Sequence, residues 1–102
     1  MRNKYLNLLG LAYRAGKCSI GEETVVRDIQ RQAAKLVLLA QDTGYQTKKK
    51  ITDKCKSYDI PFVIVHEHRD QLSQAIGKRD RVVIAILDHG FATSIQSQLE
   101  YQ

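Results

Sequence analysis

Val82-Val83-Ile84-Ala85-Ile86-Leu87 is an unbroken aliphatic run with β-branched side chains at four of its six positions. A strand with one wet face alternates apolar with polar residues, so a short run without alternation predicts a strand covered on both faces. Residues 36–40 (Leu-Val-Leu-Leu-Ala) and 62–65 (Phe-Val-Ile-Val) have the same character, and all three read as inner strands. Pro61 directly precedes the 62–65 run, where a missing N–H costs little because pairing has not begun.

Outward from these runs the apolar period changes to that of a helix. Tyr5, Leu8, Leu9 and Ala12, with Gly16 placed as a terminator, predict a helix over residues 3–15. Residues 17–20 leave room for a short strand. Glu22, Val25, Val26, Ile29 and Ala33 then mark a second helix, and Ile51, Cys55 and Tyr58 a third. Leu72, Ala75 and Ile76, closed by Gly77, mark a fourth, and Phe91, Ile95 and Leu99, after Gly90, a fifth. The order α-β-α-β-α-β-α-β-α requires crossover connections. It predicts an α/β fold, a three-layer α/β/α sandwich around a four-stranded, largely mixed sheet. With 102 residues, 43% hydrophobic, and no linker, repeat or low-complexity tract, one domain over 1–102 is expected.

Sixteen Lys and Arg against eleven Asp and Glu give a net charge of +5, which favours a polyanionic partner. Cys18 and Cys55 lack CxxC spacing or a nearby His cluster, so a disulfide framework and a zinc site are not indicated, and a reducing, cytoplasmic location fits. Asn7, Gly10 and Arg14 interrupt the apolar stretch 5–15, which is also too short to span a bilayer, so no membrane partner is expected.

The richest stretch for chemistry is the strand-to-helix passage at Gly21. Glycine lets a ligand approach the backbone, and the following amides point outward at a positive helix end. Lys17 and Arg27 would flank an RNA phosphate or base edge there. Glu22 and Glu23 repel phosphate, yet a carboxylate accepts hydrogen bonds from base amino groups. A second basic group, Lys48, Lys49 and Lys50 after Thr47, falls in the first turn of the third helix, against its dipole; an RNA backbone nearby would reverse that penalty, while a Lys49–Asp53 pair would make it an ordinary solvated face. Arg69, Lys78, Arg79 and Arg81 form a third group, near the Gly21 turn if the sheet orders suitably.

His66 and His68, even with His89, lack the spacing of a metal site, so no metal or other cofactor is expected. Cys18 and Cys55 read as packing residues rather than nucleophiles. No GxGxxG, P-loop or GxSxG occurs, and neither an enzyme nor a small-molecule substrate is expected.

These residues together resemble the kink-turn-binding ribosomal protein family of the L7Ae and L30e type, and within it the bacterial YlxQ-type members. The resemblance rests on Leu9 to Ala12 with Arg14 to Gly16, on Ser19 to Arg27, and on Ala34 to Asp42. It continues through Thr47 to Cys55, Ile60 and Pro61, Leu72 to Gly77, and Asp88, Gly90, Phe91 and Ala92. It implies a sandwich that clamps a kink-turn, with Gly21 and the following helix at the tandem G·A pairs. The loop over residues 65–69, from Val65 and His66 to Arg69, would cover bases flipped out of the stack. Carried over by position, the family's glycine is Gly21 and its basic residue one turn on is Arg27. Glu23 stands where the family usually has Asn or Lys, Thr24 where it has Glu or Gln, and Ser73 where glycine is frequent.

The sequence therefore predicts a non-catalytic, monomeric RNA-binding protein whose partner is a structured RNA such as a kink-turn, with ribosomal RNA among the candidates. The rival reading is a protein-interaction scaffold of the same fold that has lost RNA recognition, prompted by Glu22, Glu23 and Thr24.

Overall fold

The computed structural model describes residues 4–100. Nine elements follow one another as α1 (Lys4–Arg14), β1 (Cys18–Ile20), α2 (Glu22–Gln30), β2 (Leu36–Leu39), α3 (Tyr45–Ser57), β3 (Phe62–Ile64), α4 (Arg69–Ala75), β4 (Val83–Ile86) and α5 (His89–Glu100). The expected alternation and the mixed four-stranded sheet are both present. The strands lie in the order β1-β4-β2-β3; β4 runs antiparallel to both β1 and β2, and β2 pairs in parallel with β3.

The two middle strands explain their own composition. Every residue of β2 and β4 is buried. Leu36, Leu38, Ile84 and Ile86 point into a core shared with α1, α4 and α5, through Tyr5, Leu9, Leu72, Ala92 and Ile95. Val37, Leu39, Val83 and Ala85 point to the other side, against Val25 and Ile29 of α2 and Ile51 and Cys55 of α3. Period-2 side chains feeding two cores are what an unalternated aliphatic run provides.

Several expectations need correction. The 62–65 run is not an inner strand: β3 is an edge, its residues only partly covered, with Ile64 39% exposed. The second helix stops before Ala33. Gln32 takes φ 61°, and the amides of Ala33 and Ala34 both turn back to the Asp28 carbonyl at 2.8 and 3.1 Å, closing the helix end. α3 starts at Tyr45, so Lys48 to Lys50 lie beyond its first turn, where the dipole penalty has faded. α5 starts before Gly90, at His89, because the Asp88 carboxylate accepts the Phe91 amide at 2.9 Å as an N-cap. Asn3, the first residue of the expected opening helix, lies outside the described residues. No helix among those described is long and apolar enough to cross a membrane.

Because β1 and β2 both oppose β4, and β3 follows β2, one end of the sheet collects three strand exits and one strand entrance. The Gly21 amide bonds the Val83 carbonyl (3.2 Å), the Ala40 amide bonds Val82 (2.9 Å), and the Val65 amide bonds Leu39 (2.9 Å). All the candidate loops stand along that end, in the order of their strands.

Candidate functional site

Gly21 is the N-cap of α2, at φ 92° and ψ 148°, a conformation that only glycine adopts without strain. Its carbonyl accepts the Val25 amide at 3.0 Å, which starts the helix. The amides of Glu22, Glu23 and Thr24 have no intrahelical acceptor, and no side chain caps them. They open at a cleft of about 510 Å³ whose other walls are Ile20, Lys50 and Arg81.

The Glu22 carboxylate does not stand free in that cleft. It is turned toward α3, where the Thr47 hydroxyl donates to it at 2.9 Å and the Lys50 ammonium lies at 3.1 Å. Those hydrogen bonds, from Lys50 first and Thr47 second, hold its carboxyl below the usual 4.5. Glu22 is thus a strut between two helices, with its charge answered. Glu23 is exposed and Thr24 half-buried on the next positions, and Arg27 is exposed further along the same helix. Arg27 and Arg81 make no ion pair among the described residues.

Arg81 reaches the cleft from the loop before β4, and Ser73 holds it there. The buried Ser73 hydroxyl donates to the Arg81 carbonyl at 3.1 Å and accepts the Arg81 amide at 2.8 Å. The sequence marked Ser73 only as a departure from a resembling pattern and offered no signal for this role. Of the third basic group, Arg81 alone joins the Gly21 cleft. Lys78 lies 5.8 Å over the Tyr13 ring and, with Arg79, borders a separate hollow beside Asp70 and Asp80.

Lys17 does not flank the cleft. It sits at the other end of β1, four residues from Gly21, about 13 Å along an extended chain. Its backbone is structural, donating to Ala12 at 2.9 Å and accepting from Leu87 at 2.8 Å. Lys48 is half-buried on α3, and Lys49 pairs with Asp53 at 3.0 Å.

Residues 65–69 stand three strand spacings from Gly21, about 14 Å, and most of them are already engaged. Val65 is 1% exposed, in the core. Glu67 is buried and accepts a hydrogen bond from the Tyr5 hydroxyl; burial and that bond hold the Tyr5 phenol above its usual range. Arg69 clasps Asp42: its amide and Nε donate to the carboxylate at 2.9 and 3.1 Å, and its terminal nitrogen to the Asp42 carbonyl at 2.9 Å. Partial burial raises the Asp42 carboxyl, but the Arg69 bonds outweigh that and leave it below its usual range. His66 and His68 remain exposed. The loop next to Gly21 across the sheet is instead 77–82, which enters β4.

Burial pushes the thiol of Cys18 up to about 12 and that of Cys55 to about 11, so neither is a thiolate at neutral pH. Among the described residues no three His, Cys, Asp or Glu side chains converge as a metal site. The buried Ser19 hydroxyl has no partner among the described residues, and nothing in the structure explains it.

Residues 3–96 match the family model of the ribosomal protein L7Ae/L30e/S12e/Gadd45 family. The chain is 46% identical over 97 residues to the RNA-binding protein YlxQ of Bacillus subtilis, covering 95% of this chain and 96% of that one. It is 30% identical over 88 residues to the large ribosomal subunit protein eL8 of Thermoplasma volcanium, covering 85% and 72%. A solved structure of a protein of unknown function from Bacillus halodurans superposes with a TM-score of 0.91 at 46% identity, covering 95% and 97%.

Proposed function

The chain belongs to the ribosomal protein L7Ae/L30e/S12e/Gadd45 family, and on that premise we propose that it is a non-catalytic RNA-binding protein gripping a kink-turn or similarly bent RNA at the Gly21 cleft. The observation that carries this reading is the uncapped start of α2, bordered by Lys50 and Arg81. The glycine admits a nucleotide to the backbone, and the free amides and Thr24 meet acceptors on base edges. The Glu23 carboxylate accepts from base amino groups, one of the base-edge contacts by which unstacked RNA is read. Arg27 and Arg81 meet the phosphates on either side, with Lys48 further along the same end, while the exposed His66, on the far loop after β3, stays outside this footprint. A YlxQ relative named as RNA-binding and an archaeal relative named as ribosomal support the partner class. On this proposal the protein works as a monomer in the cytoplasm on a structured RNA, with ribosomal RNA among the candidates.

The scaffold alternative draws on the acidic pair at the helix start, and the Lys50 contact on Glu22 answers half of it. The test is fluorescence anisotropy with a labelled kink-turn RNA and a straight duplex of equal length, titrated with salt. The kink-turn should bind at least tenfold tighter, with affinity falling steeply as salt rises. Equal binding of the two duplexes would overturn the kink-turn reading, and no binding of either would leave the scaffold.

A further inference from the structure

Three large apolar side chains are exposed among the described residues: Leu11 at 48%, Ile64 at 39% and Tyr45 at 75%. Leu11 and Ile64 are aliphatic and lie beside partly covered neighbours. Tyr45 is different in kind, a flat ring in the first turn of α3 that packs in neither core. Its hydroxyl has no hydrogen-bond partner among the described residues. The fold gains little from an aromatic ring held in water.

Its position is informative. Helical geometry puts Tyr45, Lys48, Lys49 and Thr52 on one face of α3, while Thr47 and Lys50 turn the other way to bond Glu22. Lys49 is engaged with Asp53, whereas Lys48 makes no ion pair among the described residues. Tyr45 therefore lies across α3 from Glu22 and the cleft, roughly 11 Å away through the helix, and because it is the first residue of α3 a strand leaving the cleft reaches it by passing around the helix start.

We propose that Tyr45 is a stacking platform for an unpaired nucleotide of the RNA held in the Gly21 cleft, with Lys48 meeting the phosphate beside it; this rests on the RNA-binding reading above. Any base offers a π-face to such a ring, so the contact adds affinity without dictating sequence. Single-strand binding combines stacking rings with cations along the backbone, and Tyr45 with Lys48 one turn on offers one of each.

The experiment compares a blunt kink-turn RNA with the same RNA carrying a four-nucleotide single-stranded extension at either end, on the full chain and on Tyr45→Phe and Tyr45→Ala. Because the ring is exposed, urea unfolding midpoints of all three proteins should coincide. The extension at one end should raise affinity about tenfold for the parent and for Tyr45→Phe, and leave Tyr45→Ala unchanged; the blunt RNA should bind all three alike. An extension gaining as much on Tyr45→Ala, or nothing on the parent, overturns the proposal while the cleft reading stands, and leaves the ring to a protein partner. If neither RNA binds the parent, the cleft reading fails and takes this inference with it.

Discussion

At the Gly21 corner of the sheet, amides without acceptors, an exposed Glu23 and the unpaired Arg81 face a cleft, and Arg27, also unpaired, stands exposed further along α2. At the Arg69 corner of the same end, the same kinds of group are bonded to each other: the guanidinium to Asp42, the carboxylate of Glu67 to Tyr5, the aliphatic Val65 to the core. Both corners carry arginines beside carboxylates in the sequence. Charge along a chain is not charge on offer, because a group already paired at 2.9 Å must break that contact before it can bind anything else.

Five substitutions, the last combined with a change of pH, test the contrast between the two corners. Gly21→Val forces a branched residue into a conformation reserved for glycine. It should cost about 2 kcal/mol of stability and lower kink-turn affinity more than tenfold, measured by urea unfolding and anisotropy on the same preparation. Tyr5→Phe is its counterpart at the other corner. Leaving the buried Glu67 carboxylate without its donor should also cost about 2 kcal/mol, yet RNA affinity of the folded protein should stay within twofold. A large affinity loss in Tyr5→Phe would erase the distinction between the corners.

How much of this was legible in the sequence follows from the range of each interaction. Helical periodicity and unalternated aliphatic runs located eight of the elements and left room for the ninth, the short first strand, and Gly21 stood out because a glycine between a strand and a helix has a local conformational meaning. The edge position of β3 did not, since Phe62-Val63-Ile64 is as aliphatic as an inner strand and only the pairing order decides its cover. Tyr45-Gln46-Thr47 carries no apolar period, which hid the true start of α3. Arg69 and Asp42 are 27 positions apart, so the clasp that withdraws Arg69 has no linear signal. Lys17 misled in the opposite sense: near Gly21 in number, it is far in space because the chain between them is extended.

Smaller in effect, Arg81→Ala should weaken RNA binding several-fold and lower the slope of log affinity against log salt by about 1. Arg69→Ala should leave the slope unchanged and lower the thermal midpoint instead. Equal slopes for the two variants would place both arginines, or neither, on phosphate. Smallest is a pH effect at the α2–α3 strut. The Glu22 carboxyl is held below 4.5 in the folded state, so its contribution is complete above pH 4.5 and fades as pH falls through its lowered folded value. Half-exposed as the pair with Lys50 is, the loss should stay under about 1 kcal/mol, and Glu22→Gln should abolish that part of the acid dependence in urea titrations.

On the proposed function, RNA meets the Gly21 corner and spares the Arg69 corner. Amide chemical-shift perturbation of the labelled protein, titrated with a kink-turn RNA, tests it directly. Shifts should concentrate at Gly21, Glu22, Glu23, Thr24 and Arg81, with Val65, Glu67 and Arg69 nearly still. A map dominated by residues 65–69, with Gly21 unmoved, would contradict the account.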